Sequence, residues 1–314
     1  NVGASGPDQQ WTPTDATYDP ATGELVLTIG SGHGLTVGEG VVIDDNGLSF
    51  TCAMDGNQST KSYPRNGIDP YSGRSIPIDS VTDTTITLNV GVSGPNVAFT
   101  PTAGTTYNAS TGDLVLNIGQ HGLGVGRGVV IATDSLTFTC DQDSNGSTHT
   151  YPRASDPAAG QSLPITAVSA TQHTVTNAVY TASNGRLVLT IGGGHGFAEG
   201  DYIKVADGSL TFTCDLDGNT AQKAYPRANF DYPSGRWLQI SNVTADSFEI
   251  NVGGSSYTGA HTFVSATANG IERQTGNITV NVGAAGSASG SVHVFQSATA
   301  DAVSHSPQSA HTFV

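Results

Sequence analysis

The sequence is poor in lysine and glutamate, two of the residues from which solvent-exposed helix faces are usually built. Lysine occurs only at Lys61, Lys204 and Lys223, and glutamate is almost as rare. A helical protein is therefore disfavoured. Short runs of Thr, Val, Ile and aromatic residues between Gly, Asn and Asp instead predict many short strands. The hydrophobic content of 36% is sufficient for packed cores.

Basic residues are scarce as well, and the formal net charge is -15. Nucleic acids and anionic membrane surfaces are bound through basic patches, so this charge argues against both as partners. No apolar run reaches the roughly 18 residues of a membrane span. The sequence begins with Asn1 and contains one methionine, Met54. We interpret it as a processed or trimmed product, which is compatible with the removal of an export signal, and we expect an extracellular protein.

One pattern of residues occurs three times. A His-Gly turn, preceded by Gly in copies one and three, is followed at constant spacing by a Thr-Cys pair and then by Tyr-Pro-Arg. Such regular spacing predicts one fold that is used three times. The histidines are His33, His121 and His195, the cysteines are Cys52, Cys140 and Cys214, and the tyrosines are Tyr63, Tyr151 and Tyr225.

Each copy reads as a series of short strands with turn residues between them, which is typical of a β-sandwich or a small barrel. Connections this short exclude helix-linked parallel strands. The sequence therefore predicts an all-β protein with three tandem β-sandwich repeats, Ig-like or small Greek-key barrels, in an extended array. The predicted boundaries are an N-terminal strand arm at 1–14, repeats at 15–104, 105–178 and 179–268, and a C-terminal arm at 269–314.

The second copy is shorter because it lacks the arm with which the other copies end. In copy three this arm reads "NVGGSSYTGAHTFV". Similar words return in the C-terminal segment as "NVGAAGSASGSVHVF" and "HTFV". We interpret the arm as a β-hairpin with a Gly/Ser-rich tip.

In "LTFTC", the residues Leu136, Phe138 and Cys140 alternate with two threonines, and the other copies alternate in the same way. This alternation places each cysteine on the apolar face of its strand. A disulfide needs Cα atoms within about 7 Å, and equivalent positions in an extended array are farther apart, so we predict buried free thiols. One histidine and one cysteine per repeat fall short of the four ligands of structural zinc. The turn histidines are therefore expected to bond to backbone groups.

Acidic residues follow the cysteines at alternate positions in copies two and three, as oxygen ligands do in calcium loops. Neither stretch has the closing glutamate of an EF-hand, and copy one has Ala53 at the first position. A polar turn is the alternative, because Asp, Asn and Gly suit turns on backbone grounds. The calcium candidates are Asp141, Asp143, Asn145, Asp215, Asp217 and Asn219.

Each Tyr-Pro-Arg is followed by an aspartate, and cations are rare in this chain. Three arginines placed alike predict a repeated arginine–carboxylate pair that pins a loop. A ligand-binding arginine is the alternative. The predicted pairs are Arg65 with Asp69, Arg153 with Asp156, and Arg227 with Asp231.

Five Asn-x-Ser/Thr sequons are glycosylation candidates if the producing cell has the machinery. No Ser-His-Asp arrangement, P-loop or GxGxxG stands out, so we predict that the protein is not an enzyme. A depolymerase with two paired aspartates is a third alternative. The sequons lie at Asn57, Asn108, Asn145, Asn242 and Asn277.

The phrase "SLTFTC…D…N…YPR…DP…G…LPI…V" is shared by the copies. It resembles a repeat module of predicted structural and tail-fibre-like proteins of marine and cyanobacterial phages, and of environmental extracellular fibril proteins. The resemblance covers roughly residues 15–268 and implies a virion or fibre scaffold without catalytic residues. Copy three departs from the pattern, with "FDYPSG" and "LQI".

The two ends of the sequence match the arm. "NVGASGPDQQWTPT" from Asn1 matches "NVGVSGPNVAFTPT" from Asn89, and arm-like strands also close the sequence. We predict a homopolymer that assembles head to tail, because an unpaired strand edge is a template for a strand of the next copy. The alternative is an arbitrary cut from a longer repeat chain. The predicted assembly residues are Asn1, Val2, Trp11, Val280, Val282, Val294, Phe295, Phe313 and Val314.

The rival function is a phage tail-fibre or adhesin module that binds surface glycans. Exposed aromatic residues clustered on loops would favour it. The candidates are Tyr71, Phe230, Tyr232 and Trp237, and copy two has Ala158 and Ala159 near the matching turn.

Overall fold

A computed structural model describes residues 9–66, 69, 71–228, 230–255, 257–285 and 290–314, without the side chain of Asp55. Strands dominate these residues, and their helical elements are three single turns of 3₁₀-helix. The prediction of an all-β fold is confirmed. None of the helical segments in the described ranges is long and apolar enough to cross a membrane. The three turns are Ala53–Asp55, Asp141–Asp143 and Asp215–Asp217.

Repeat 1 is a sandwich of two antiparallel sheets. Five strands form one sheet in the order β1-β2-β7-β6-β3, and three form the other in the order β26-β4-β5. The strands are β1 (Asp15–Tyr18), β2 (Glu24–Thr28), β3 (Gly40–Val42), β4 (Leu48–Cys52), β5 (Lys61–Tyr63), β6 (Ser75–Val81), β7 (Thr85–Asn89) and, from the end of the chain, β26 (His311–Phe313).

The core of repeat 1 follows from strand alternation. In β2 and β7 every second residue is aliphatic, and Leu25, Leu27, Ile86 and Leu88 are buried. The residues between them are polar or half-buried. Phe50 of the opposite sheet packs onto the same cluster.

Repeat 2 has the same plan, with strands from two distant parts of the chain. Its first sheet runs β9-β10-β23-β14-β11, which matches the order in repeat 1. The strands are β8 (Val97–Phe99), β9 (Thr106–Asn108), β10 (Asp113–Asn117), β11 (Gly128–Ile131), β12 (Leu136–Cys140), β13 (Thr148–Tyr151), β14 (Leu163–His173), β23 (Ile271–Asn281), β24 (Val292–Ala298) and β25 (Val303–His305).

Repeat 3 takes its main sheets from a continuous stretch of chain. The sheets are β15-β16-β21 and β19-β18-β22, and β17 pairs with β20 and β23. The strands are β15 (Asn177–Thr181), β16 (Arg186–Thr190), β17 (Tyr202–Val205), β18 (Leu210–Cys214), β19 (Lys223–Tyr225), β20 (Leu238–Gln239), β21 (Ser247–Asn251) and β22 (His261–Ala266).

The three repeats are nested in the sequence. Repeat 3 is inserted between β14 and β23, both of which belong to repeat 2. The far halves of these two strands form a ribbon that leads into repeat 3, with His173 opposite Ile271. A second ribbon, in which β8 pairs with β25, encloses the rest of repeat 2. Repeat 1 is in turn closed by β26.

Nesting corrects the predicted domain boundaries. The chain divides into two compact units, one of Asn1–Asn96 with Ser306–Val314 and one of Val97–His305. The segment 269–314 is therefore not a separate arm. Its strands belong to repeats 2 and 1. Repeat 2 is interrupted by repeat 3 and receives its last strands from this segment, and repeat 1 receives its closing strand from it. Residues 1–8 of the predicted N-terminal arm lie outside the described residues.

The "NVG" words of the arms mark equivalent positions in the three repeats. Val282 donates a backbone hydrogen bond to Gly112 over 2.8 Å, as Val90 does to Gly23 and Val252 to Gly185. At each site a Cβ on the turn glycine would overlap the backbone of the following "NVG" glycine. The tail segment around Val282 is therefore the missing arm of repeat 2.

We expect Gly112→Ala to destabilise the protein strongly, because its Cβ would overlap the backbone of Gly283 and its φ is +79°. Gly126→Ala is the matched control, with a φ of +84° and no atom within 4 Å of its Cβ. The control should lose about 1 kcal/mol from the left-handed backbone alone. Gly112→Ala should lose about 1–3 kcal/mol more from overpacking. Thermal unfolding measures both, and equal losses would refute the nested closure of repeat 2.

Candidate strand-completion site

The cysteine strand of every repeat lies between two partners. On one side is the Tyr-Pro-Arg strand, and on the other is a strand with the sequence His-x-Phe, which we call the closing strand. In each repeat the closing-strand histidine is opposite the cysteine. The closing strands are β26 on β4 in repeat 1, β24 on β12 in repeat 2, and β22 on β18 in repeat 3.

Each closing strand adds a phenylalanine and a histidine ring to its repeat. The phenylalanine meets the core phenylalanine edge to face, and the histidine meets a tyrosine of β1, β9 or β15 in the same way. In repeat 2 the closing strand β24 also pairs with β9, with His293 opposite Tyr107. Such pairs contribute about 0.5–1.5 kcal/mol beyond the area they bury. The centroid distances are 5.7 Å for Phe50–Phe313, 5.6 Å for Phe138–Phe295, 5.8 Å for Phe212–Phe263, 5.4 Å for Tyr18–His311, 5.3 Å for Tyr107–His293 and 5.2 Å for Tyr180–His261.

The residue that follows each cysteine contacts the closing strand or the segment that leads into it. Asp141 Oδ1 accepts a hydrogen bond from Val292 N at 3.0 Å. Asp215 Oδ1 accepts one from the Tyr257 hydroxyl at 2.7 Å, which lowers the pKa of this carboxyl. In repeat 1, where Ala53 stands at this position, its backbone N–H donates to Ala310 O at 2.8 Å.

The other calcium candidates also have protein partners. Asp143 accepts hydrogen bonds from Ser147 and His149, and Asp217 forms an ion pair with Lys223. These contacts lower the pKa of both carboxyls. In the part of the chain that the structure describes, no three His, Cys, Asp or Glu side chains are grouped to hold a metal ion. Asn145 and Asn219 take the left-handed conformation that closes the turn, with φ of 59° and 61°.

The three cysteines are buried and form no disulfide. Each faces the core from the end of its strand, as the alternation predicts. Their position in the core is that of small hydrophobic residues.

In repeats 1 and 3 the turn histidine connects its own loop to the neighbouring turn by two hydrogen bonds. His33 Nδ1 accepts a hydrogen bond from Leu35 N at 3.1 Å, and its Nε2 lies 3.0 Å from Thr82 O. His195 repeats both contacts, with Phe197 N at 3.0 Å and Thr244 O at 3.1 Å. Since Nδ1 accepts, Nε2 carries the proton and donates to the carbonyl.

His121 makes only one of these two contacts. Its Nδ1 accepts from Leu123 N at 2.9 Å, but its buried Nε2 has no partner among the described residues. The reason is the insertion of repeat 3, because β14 continues into the ribbon where repeats 1 and 3 have a turn with a threonine carbonyl. Burial lowers the pKa of His121 to about 4.

The arginines and aspartates after Tyr-Pro lie together in all three repeats. Asp69 accepts from the backbone N–H and from two guanidinium nitrogens of Arg65, and Asp231 does the same for Arg227. Asp156 accepts from the backbone N–H and Nε of Arg153. The aspartates are mostly buried while the arginines are exposed, so each pair fixes a loop.

The five sequons lie in different settings. Asn57, Asn108, Asn145 and Asn242 are exposed, and Asn108 caps its turn by accepting a hydrogen bond from Ser110 N at 3.0 Å. Asn277 is half-buried inside β23 opposite Asn117, where a glycan has little room.

Most of the predicted assembly residues belong to the repeats themselves. Val280 is fully buried in the core of repeat 2, and Val282 and Phe295 pack against that core. Phe313 packs in repeat 1. In this structure these four side chains contact strands of their own chain, because the tail supplies strands that repeats 1 and 2 would otherwise lack. Val294 and Val314 are exposed, Trp11 is half-buried, and Asn1 and Val2 lie outside the described residues.

Sequence reasoning missed the closing-strand histidines and their tyrosine partners. The signal was present, since "HTF", "HVF" and "HTF" begin at His261, His293 and His311. Three such words for three cysteine strands indicate one closing strand per repeat.

Comparisons with known proteins add little to this geometry. No protein-family model matches the chain, and no curated protein matches it. Among solved structures, the crystal structure of the chicken CNTN1 FN1–FN3 domains aligns with 86% of this chain and 99% of its own. The identity is 11% and the TM-score is 0.18, values too low to support an argument about fold or function.

We expect the stability of the protein to fall on acidification, partly through His121. The folded-state pKa is about 4, whereas the unfolded imidazole titrates near ~6.5. Because the unfolded state binds the proton more readily, the stabilisation is complete above pH ~6.5 and is lost as the pH falls to about 4. The shift corresponds to about 3 kcal/mol.

Denaturant unfolding between pH 7 and 4 measures this effect. His121→Gln should flatten the pH dependence by the contribution of one titrating group. Burial also lowers the pKa of His305 and His311, so some slope persists in the variant. Identical slopes for wild type and His121→Gln would contradict the assignment.

Proposed function

We propose that the chain is the structural subunit of an extracellular or virion-associated filament, built head to tail by exchange of the closing strand β26 between copies. The observation that carries the proposal is the closure of repeat 1. Its first seven strands precede Asn96, and its eighth follows Ser306, with a whole compact unit between them. The strand that completes one unit thus follows the whole of the other unit in the sequence.

Exchange of β26 would preserve its contacts. Phe313 would meet a Phe50, His311 a Tyr18, and Val314 N would donate to a Ser49 carbonyl, as it does here at 3.0 Å. Only the connecting segment would change its path. An exchange of this kind costs little free energy, because the same contacts are formed between copies as within one copy. Since the contact is heterologous, it can continue into an open filament.

The repeated polar residues support a structural role. The cysteines fill cores, the turn histidines bond to backbone, and the arginine–aspartate pairs fix loops. An active site is needed once, whereas a structural contact is needed in every repeat. The same chemistry used three times for packing and loop closure is what a scaffold requires.

Negative-stain electron microscopy and light scattering at increasing concentration test the assembly. We expect filaments from the full chain and monomers from Phe313→Asp, because a carboxylate cannot replace a ring in the repeat 1 core. Thr312→Asp changes the exposed residue of the same strand and should still assemble. A truncation lacking residues 1–13 separates the contribution of the other terminal segment.

Circular dichroism of Phe313→Asp shows whether the second unit remains folded. A full chain that is monomeric at every concentration would overturn the proposal. Filaments that form equally well from Phe313→Asp would show that assembly does not use β26.

A second candidate function, binding of surface glycans by an adhesin or tail-fibre module, is favoured by one loop of repeat 3. Phe230 and Tyr232 are 58% and 56% exposed. The Arg227 guanidinium lies 4.0 Å from the Phe230 ring centroid, and that of Arg236 lies 5.0 Å from Tyr232. Exposed rings held by stacked arginines present flat apolar faces beside hydrogen-bond donors, which suits sugar rings.

A glycan array probed with the labelled chain tests this candidate. The Phe230→Ala/Tyr232→Ala double variant should lose binding by at least about tenfold, because exposed aromatics that carry binding act as hot spots. Leu216→Ala, at a residue 69% exposed in another loop of repeat 3, is the control. Equal binding by wild type and double variant would exclude this loop as the glycan site.

A further inference from the structure

One long strand belongs to the main sheets of both repeat 2 and repeat 3. Along one edge, β23 pairs with β10 of repeat 2 over residues 277–281 and with β17 of repeat 3 over residues 271–273. β14 follows it along the other edge, from Val280 to Ile271. The two repeats are therefore joined by a two-stranded ribbon. A ribbon of two strands is marginal on its own, and relative motion is the usual behaviour of domains in one chain.

The ribbon crosses from one repeat to the other at Gln274, which is 1% exposed. Its Oε1 accepts a hydrogen bond from Gly122 N at 3.0 Å, and its Nε2 donates one to Leu123 O at 3.1 Å. Both partners belong to the turn of repeat 2 at residues 119–126, which we call the His121 turn. Separating Gln274 from this turn would leave its buried amide unpaired, which is costly.

Gln120, in the same turn, connects the ribbon to repeat 3. Its Nε2 donates to Gln274 O at 2.8 Å, and its Oε1 accepts from the backbone N–H of Tyr202 at 3.0 Å. Tyr202 is the first residue of β17. One side chain of repeat 2 thus holds the backbone of the ribbon and the backbone of repeat 3.

The His121 turn also packs closely against two aromatic side chains of repeat 3. A Cβ on Gly122 would lie 2.6 Å from Cε1 of Tyr202, so the tyrosine ring lies directly against this glycine. A Cβ on Gly124 would lie 3.7 Å from Trp237. The Lys204 ammonium lies 5.0 Å from the centroid of the same indole. The contact between the repeats therefore combines hydrogen bonds with close packing.

Three residues at this contact are larger than their equivalents in the other copies. Gln120, Tyr202 and Trp237 each replace a glycine or a serine, at positions given by the distance from the histidine and by the strand pairing. The turns and strands of the other copies form without these side chains. Their presence where repeats 2 and 3 touch indicates a role in that contact. The equivalents are Gly32 and Gly194 for Gln120, Gly40 and Gly128 for Tyr202, and Ser75 and Ser162 for Trp237.

We infer that Gln120, Gln274 and Tyr202 lock repeats 2 and 3 into one rigid body, in which the ribbon is a fixed joint and not a hinge. In repeats 1 and 3 the equivalent turn bonds to its own repeat through His33 and His195. In repeat 2 the turn lacks that contact and holds repeat 3 instead. The inference concerns the unit Val97–His305 alone and does not depend on filament formation.

Residual dipolar couplings of the full chain in a dilute aligned medium test the joint, because they report the orientation of each repeat. Amide couplings from repeats 2 and 3 should fit one alignment tensor in the wild type. The double variant Gln120→Gly/Tyr202→Gly, which introduces the glycines of the other copies, should need a separate tensor for each repeat. A variant that had only lost stability would keep the single tensor in its folded molecules.

Gln172→Ala is the matched control. Gln172 is also a ribbon residue, but it is exposed, stands opposite Glu272 and makes no side-chain hydrogen bond within the described ranges. This variant should keep the single tensor.

Amide hydrogen exchange of Gln120→Gly alone gives a second, local readout. Because the Tyr202 N–H donates to Gln120 Oε1, its exchange should accelerate about tenfold or more relative to the wild type. Gln172→Ala should leave the exchange of the Tyr202 amide unchanged.

Two alignment tensors in the wild type would overturn the inference, since the repeats would then move independently. One tensor in the double variant would also overturn it, because the ribbon alone would hold the angle. If the double variant loses the spectral dispersion of either repeat, the tensors are compared for Gln120→Gly, and an unchanged Tyr202 amide in that variant contradicts the bridge. A single tensor in the wild type and in Gln172→Ala, with two in the variant, supports the inference.

Discussion

The structure depends on the pairing of each cysteine strand with a His-x-Phe strand that arrives later in the chain. This pairing brings two aromatic rings into each sandwich, one against the core phenylalanine and one against a tyrosine of β1, β9 or β15. Without it the smaller sheet would have two strands and an open edge, which is marginal on its own. The position of each closing strand in the sequence therefore determines how the repeats are nested in the chain.

Nesting accounts for local differences between otherwise matching repeats. His121 lacks the carbonyl partner that His33 and His195 have, because a turn was replaced by the ribbon into repeat 3. The same ribbon strand supplies Ile271 to the core of repeat 3. The insertion thus removes the histidine–carbonyl contact from repeat 2 and adds a buried isoleucine to the core of repeat 3.

Much of each repeat could be predicted from the sequence, because the determinants are local. Alternation in "LTFTC" gives the strand and its buried face, and the Asp-Asn-Gly words give the turns. The connection between repeats could not be predicted in the same way. Three closing strands with nearly the same sequence can each pair with any of three cysteine strands, so local sequence does not say which pairing occurs. The number of arms was the only indication in the sequence, since copy two lacks an arm and the C-terminal segment contains an additional one.

The edge-to-face contact of Phe50 with Phe313 has a consequence for synthesis of the chain from its N-terminus. Repeat 3 has its own eight strands available once Ala266 has been added, repeat 2 must wait for His305, and repeat 1 for Phe313. The first repeat to be translated is thus the last that can be completed. One edge of its cysteine strand must remain unpaired while the whole inner unit is made, so contacts of high sequence separation come last on the ribosome.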